Sequence, residues 1–245
     1  MGSGKYSALA GAVSQEQAMA SITNNLANVN STGFKKDRLS FESLLRDARQ
    51  TEAAQGVNYT RIRSIQTDHS EGPLRATGND LDLAIHGDAF FKVQDSQGNA
   101  YYTRKGSFMV NSNSELSTDE GYLVLGEGGG PVTLPSMGGK PVAIAENGLI
   151  VLDGAEVGQV GLFAVEDPSQ LVKKGNALFT PPPDGTERPV ENTRIIQGHL
   201  EMSNVNMVEE MALMIDTTRK HETLHKVLKS YSTLAEKQDE LGTVS

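Results

Sequence analysis

The feature that most constrains this chain is a pair of narrow helical stripes, one at each end, separated by a stretch with no helical period. Between residues 6 and 30, Leu9, Ala12, Val13, Met19, Ile22, Leu26 and Val29 recur at spacings of three, four and seven, which places them on one helix face. Between residues 200 and 241, Val208, Met211, Ile215, Leu224, Val227, Leu228, Tyr231 and Leu234 form a second stripe, with a polar gap around Thr217 to His221. No Gly or Pro interrupts the second segment for more than 30 residues. Ser203-Asn204-Val205-Asn206 can cap its start, and Glu209 and Glu210 suit the first turn. Asp216 with Lys220, and Glu222 with Lys226, stand four apart with the acid first, the better orientation for helix pairs. Neither stripe buries enough surface to hold an isolated helix, so the two must pair with each other or with other subunits. The first stripe is rich in Ala and suits close helix contact better than a deep core. A run of Asn24, Asn25, Asn28, Asn30, Ser31, Thr32 and Gly33 ends it, because Asn and Gly tolerate a left-handed cap and compete for backbone groups.

The middle reads as β structure. Leu81, Leu83 and Ile85 alternate with Asp80, Asp82 and Ala84, the period-two pattern of a half-buried strand. Phe90 to Val93, Tyr101 to Arg104, Phe108 to Val110, Tyr122 to Leu125, Val142 to Ile144, Leu149 to Leu152 and Val160 to Val165 continue the series. Asn147-Gly148 and Asp153-Gly154 supply the positive φ angles of tight hairpins. Short strands at close spacing predict a small barrel or sandwich. Between the first helix and this zone, Ser40 to Arg49 is predicted as a short helix and Gln50 to Ser70 as extended. The expected fold class is therefore α+β, with N- and C-terminal helices pairing as a coiled coil and an all-β domain inserted between them. The expected domains are a helical core from 1–33 and 200–245, an extended connector over 34–70, and a β-rich domain over 71–199.

Composition narrows the function classes. The formal charge of −9 lacks the basic footprint that nucleic acid needs. The absence of cysteine removes disulfide frameworks, thiolate metal sites and cysteine nucleophiles. Apolar runs such as Leu149 to Leu152 are far shorter than the ~18 residues of a membrane span. Lys5 followed by Ala8 to Val13 falls short of the roughly 7–15 apolar residues of a secretory signal, so no cleaved signal peptide is expected.

One enzyme signature is present. His221-Glu222-Thr223-Leu224-His225 matches the H-E-x-x-H pattern in which two histidines hold zinc and the acid serves as general base. A zinc protease needs a third ligand, and the extended form of the motif would put Gly and His where Leu228 and Tyr231 stand. Arg219, Lys220, Lys226 and Lys229 flank it, as on a solvated or interfacial helix face, so the protease reading is set aside. Asp80 and Asp82 read as polar alternation on a wet sheet face rather than as paired catalytic carboxylates. Gly126, Gly128, Gly129 and Gly130 match neither phosphate-binding glycine pattern. His69, His86 and His199 are scattered. Lys35, Lys36 and Arg38 make a small basic patch, read as an interface or solvated turn. The chain is expected not to be an enzyme and to hold no cofactor or metal.

Four stretches carry a family resemblance. Ser21-Ile-Thr-Asn-Asn-Leu-Ala-Asn-Val-Asn-Ser-Thr-Gly-Phe-Lys-Lys36 resembles the N-terminal signature of bacterial flagellar rod and hook proteins. Thr77-Gly-Asn-Asp-Leu-Asp-Leu-Ala-Ile-His-Gly-Asp-Ala-Phe-Phe91 is similar to that family's entry to its β domain, and Tyr102-Thr-Arg-Lys-Gly-Ser-Phe108 to its next strand pair. Leu200-Glu-Met-Ser-Asn-Val-Asn-Met-Val-Glu-Glu-Met211 resembles the start of its C-terminal helix. The resemblance implies a structural subunit of the basal-body rod, lodged in the periplasm-spanning part of the flagellum. Its implied partners are other rod subunits and further copies of itself, stacked head to tail, and the flagellar type III export apparatus. Asp216-Thr-Thr-Arg-Lys-His-Glu222 departs from the distal-rod G-type, and the ending Asp239-Glu-Leu-Gly-Thr-Val244 is more like the proximal-rod F-type. Leu9, Ile22, Leu26 and Val29 are expected to pack against Met211, Ile215, Leu228 and Tyr231, with Asn24, Asn25, Asn28, Gly33 and Phe34 shaping the turn out of the first helix.

Overall fold

The computed structural model describes residues 2–45, 58–135, 142–175, 177–181, 187–190 and 192–242. It divides into two compact units. The first joins Met1–Ala27, Asp37–Gln66 and Asn206–Ser245, and the second joins Asn28–Lys36 and Thr67–Val205.

The first unit is built on helix α1, Gly2–Ala27, and helix α2, Met207–Gly242. They run antiparallel and in contact. A Cβ placed on Gly4 would stand 2.6 Å from the Tyr231 hydroxyl, and one on Gly11 would stand 3.3 Å from Leu224 Cδ1. At the other end, Asn25 Nδ2 donates to Glu210 Oε1 at 3.3 Å. The buried face of α1 consists of Ala8, Ala12, Ser14, Ala18, Ile22 and Asn25. On α2 the covered positions are Glu210, Met214, Thr217, His221, Leu224, Leu228 and Tyr231, which are buried or half-buried at alternating spacings of four and three. Small side chains let the two backbones approach, so α1 contributes little bulk and much proximity.

The stripe read from the sequence is therefore displaced. Leu9 is 49% exposed and Val13 45%, while Met211 is 49% and Ile215 57% exposed. These four do not pack between the helices of one chain, as Leu9, Met211 and Ile215 were expected to do. Counting apolar residues weights bulk, whereas close helix packing selects Gly, Ala and Ser at the line of contact.

Strands Asp37–Leu45 and Asn58–Thr67 form a two-stranded sheet in this unit. This corrects the short helix expected from Ser40, since Ser40 to Leu45 are extended. β-branched Ile65 and Thr67 suit the partner strand, and pairing with that strand holds Ser40 to Leu45 extended. Residues 46–49 of that expected helix, and 50–57 of the extended stretch after it, lie outside the described residues.

The second unit is β-rich. Its largest sheet, among the described residues, has the antiparallel order Val172–Gly175, Leu178–Thr180, Ala100–Thr103, Ala89–Gln94, Leu123–Val124, Leu116–Thr118 and Phe108–Val110. Phe163–Val165 adds to Ala89–Gln94 from another side. Strands Val142–Ile144, Leu149–Leu152 and Ala155–Gln159 form a meander. Leu83–His86 pairs with Arg194–Gln197, and Leu74–Ala76 with His199–Glu201.

The period-two rule sorts the central strand. Phe91 and Val93 enter the main core with Leu83, Ile85, Leu116, Val124, Leu134 and Ile150, while Phe90 points the other way to Tyr102, Phe163, Val165, Leu171 and Phe179. Each such buried Leu or Phe contributes ~1.5–3 kcal/mol relative to exposure. Asp153 and Gly154 have φ of 56° and 82°, the type I′ pair that joins two right-twisted strands tightly. The C-terminal helical zone begins later than expected. His199–Glu201 is a strand, and helix starts only at Met207, because the Leu200–Glu201 segment is held by Leu74–Ala76.

Candidate assembly surface and the buried motif junction

Two features of the structure concern function. One is the surface of the helical unit, and the other is a buried cluster where the sequence motifs meet.

The helical unit leaves large apolar side chains in solvent. Tyr6, Leu9 and Val13 on α1, and Val208, Met211, Ile215 and Leu234 on α2, are 45–76% exposed. Scattered exposed apolar residues need no explanation, whereas this series runs along both helices. Of the eight stripe residues named from the sequence, Ile22 is buried and Leu26, Leu228 and Tyr231 are half-buried within the helical unit. Leu9, Met211 and Ile215 are exposed, and Val29 sits half-buried in the turn beyond α1.

The signature turn is tied down residue by residue. Asn25 is buried, and its side chain bridges the Asp37 backbone, donating to the carbonyl at 3.0 Å and accepting from the N–H at 3.0 Å. This side chain closes the loop from α1 to the following strand. The Ser31 N–H and hydroxyl donate to the Asn28 carbonyl and Oδ1, at 3.1 and 3.0 Å. Gly33 has φ +66°, and an added Cβ would run into the backbone of Arg104 and Lys105. Phe34 is buried, with the Lys173 ammonium 4.0 Å from its ring centroid. Asn24 is exposed.

Beside Phe34 lies a cluster that reading along the chain did not reveal. Lys35, Arg104 and Glu201 are each at most 2% exposed. Lys35 Nζ donates to Glu201 Oε1 at 2.5 Å and to the Ser70 carbonyl at 2.6 Å. Arg104 reaches Glu201 Oε2 at 3.2 Å and the Gly87 carbonyl at 2.5 Å. The Gly72 N–H completes Oε1 at 2.9 Å, and the Gly33 N–H donates to the Glu201 backbone carbonyl at 2.8 Å. Three of the four motif segments thus converge on one carboxylate. Two buried cations contact the one buried carboxylate of Glu201, and the more exposed Glu71 adds its charge from nearby. Burial pushes the Lys35 ammonium below its usual range, against the pull of Glu201.

His69 lies close by, edge-on to Phe90 and tilted to Phe179. Among the described residues neither ring nitrogen makes a hydrogen bond of good geometry, although the Pro168 backbone is near enough to act on the ring. Burial, followed by the charges of Lys35 and Arg104, lowers its pKa to about 4. Lys35 is thus buried against a carboxylate inside the β-rich unit, which corrects the expectation of an interface or solvated turn at Lys35, Lys36 and Arg38 as far as Lys35 is concerned. The motifs carry these charged residues among others, so no pattern along the chain singles out Lys35, Arg104 and Glu201.

The H-E-x-x-H residues lie on α2 in the helical unit. His221 is half-buried, and Glu222 and His225 are exposed. No group of three or more His, Cys, Asp or Glu side chains that could hold a metal occurs among the described residues, so a third ligand for the protease reading is lacking there. Asp82 is buried and accepts from Asn79 Nδ2 at 3.1 Å, which makes it part of a turn rather than half of a catalytic pair. No helix among the described residues is long and apolar enough to cross a membrane.

Comparison with known sequences gives the class, that of flagellar hook and rod proteins. Residues 84–152 match the family model of the flagellar hook protein FlgE/F/G D1 domain, and residues 196–241 that of the flagellar basal body rod FlgEFG protein C-terminal region. The chain is 34% identical to the flagellar basal-body rod protein FlgF of Caulobacter vibrioides, with 87% of each chain covered. It is 33% identical to FlgF of Mesorhizobium japonicum, with 91% of each covered. It is also 32% identical to FlgG of Buchnera aphidicola subsp. Acyrthosiphon pisum, over 93% of this chain and 95% of that one. The chain belongs to the flagellar basal-body rod protein family.

Proposed function

We propose that the chain is the F-type, proximal-rod subunit of the flagellar axis. Its terminal helices pair as a coiled coil and form the inner wall of a hollow rod, and the β-rich unit forms the outer domain. In place of the expected bounds of 1–33 with 200–245, 34–70 and 71–199, the core is drawn from Met1–Ala27, Asp37–Gln66 and Asn206–Ser245, and the outer domain from Asn28–Lys36 and Thr67–Val205. The observation that carries this reading is the exposed apolar series on both helices, with Leu9 at 49% and Ile215 at 57%. These side chains need cover that one chain does not supply. Leu9, Met211 and Ile215 contact neighbouring subunits in this scheme, while Ile22, Leu26, Leu228 and Tyr231 hold the pair within a subunit. Val29 and the signature turn set the exit from the first helix. Two unlike surfaces joined head to tail build an open helical stack when the rotation between subunits does not close into a ring. Passage through the type III export channel delivers the subunit to the growing end.

A distal G-type role is the second reading, favoured by the FlgG relative at 32% identity. Electron microscopy of basal bodies from a strain lacking this gene tests both. A rod stump ending before the distal segment is expected, whereas a rod that stops only within its distal segment supports the G-type. Complete rods with normal hooks overturn the rod assignment. Leu26→Asp is expected to abolish incorporation while the β-rich unit stays folded by circular dichroism.

A further inference from the structure

We propose that His221 and His225 form a chelating site for a divalent transition-metal ion of the zinc type on the surface of α2. The two rings stand one turn apart on the same face of the helix, as i and i+4 residues do. Their Nε2 atoms lie 3.2 Å from each other, with ring centroids 4.4 Å apart and planes inclined at 70°. Two neutral imidazoles meeting nitrogen to nitrogen have two ways to satisfy both atoms. One ring donates a proton to the other, or a cation takes the place between them.

The spacing fits the second arrangement. Zinc binds imidazole nitrogen at ~2.0–2.1 Å, so an ion equidistant from two nitrogens 3.2 Å apart subtends an angle of about 99–106° at the metal. That is close to the ~109° of a tetrahedral site. The backbone is also prepared. Helix α2 continues without a break on both sides of the pair, so no loop has to be ordered when the ion binds.

The neighbouring charges bear on the site. Lys220 is engaged with Asp216 at 2.6 Å, which offsets one of the flanking cations. Glu222 is exposed and falls at i+1 from His221, about 100° around the helix, so it stands outside the chelate. The remaining two positions of a tetrahedral ion are therefore left to water or another exchangeable donor. This differs from the zinc protease of the H-E-x-x-H pattern, which needs a third protein ligand and a general base aimed at the metal-bound water.

The test uses the full chain and Zn2+ alone. Titration calorimetry, with the histidine ring protons followed by NMR, is expected to show one ion bound per chain and shifts confined to His221 and His225. His225→Ala, on the exposed side, is expected to weaken binding at least about tenfold, since even outer-shell partners of metal ligands change affinity ~10–100-fold. Glu222→Gln is expected to leave it unchanged. Thermal melting of the helices by circular dichroism is expected to move upward with Zn2+ in the unaltered chain and not in His225→Ala. Unchanged Zn2+ affinity in His225→Ala, shifts at His69, His86 or His199 instead, or no binding by the unaltered chain overturns the proposal. So does equal weakening by Glu222→Gln, which indicates general electrostatic attraction rather than a two-imidazole chelate.

Discussion

Replacing Glu201 by Gln keeps the shape of the buried junction and removes the carboxylate that Lys35 and Arg104 both contact. The ion pairs to Lys35 at 2.5 Å and Arg104 at 3.2 Å are lost together. Two cations are then left facing each other at under 3% exposure. Breaking a buried pair in this way costs ~3–5 kcal/mol, chiefly because the orphaned charge stays out of water. Lys35→Met is the informative contrast. Glu201 keeps Arg104 and the Gly72 N–H at 2.9 Å, and the Ser70 carbonyl keeps the Asn204 amide at 3.1 Å. The remaining pair is neutral overall, and the cost of burying an ammonium disappears. About 2 kcal/mol or less is expected for that variant.

Urea unfolding read by far-ultraviolet circular dichroism and tyrosine fluorescence compares the two, since the chain has six Tyr and no Trp. Linear extrapolation gives the difference from the midpoints if the slopes agree. Equal losses for Glu201→Gln and Lys35→Met, or a loss below about 1 kcal/mol for Glu201→Gln, would refute the account of the junction as one anion shared by two cations.

The remaining predictions concern single positions. His69 titrates near 6.5 when unfolded and near 4 when folded. The unfolded chain therefore binds more protons between these values, and stability is full above about pH 6.5 and falls as the pH drops towards 4. The loss is at most ~3 kcal/mol, and less because the ring is partly solvated. His69→Phe should flatten that segment of the stability–pH curve, and an identical slope in both proteins would contradict the assignment. Gly33→Ala combines a φ of +66° with a backbone clash at Lys105, whereas Gly78→Ala has φ +72° and open space around it. The first is expected to cost well over ~2 kcal/mol and the second ~1 kcal/mol in urea midpoints, and similar costs at both sites would show that crowding at Gly33 is not decisive.

Much of the architecture was legible from local pattern. Alternation at Leu81, Leu83 and Ile85, and the Asp153-Gly154 dipeptide, specify a strand and a hairpin because both signals act within a few residues. The long run without Gly or Pro before Gly242 does the same for α2. The strands Leu74–Ala76 and His199–Glu201 were not legible, since each is extended only because the other pairs with it. Ser40 to Leu45 was misread for a related reason, as its partner Asn58–Thr67 lies beyond the window in which a helical period is judged.

The candidate site divides along the same line. Residue order by itself determined that both ends are helical, that both carry apolar side chains seeking partners, and that the motif segments matter. Only the tertiary structure decided which face of α1 is covered, because antiparallel contact selects Ala8, Ala18 and Ala12 over the larger Leu9 and Val13. It alone turned Lys35, Arg104 and Glu201 into one buried junction. Lys35 and Glu201 are 166 residues apart in sequence, and a charge reads as solvated until the fold supplies its counter-ion.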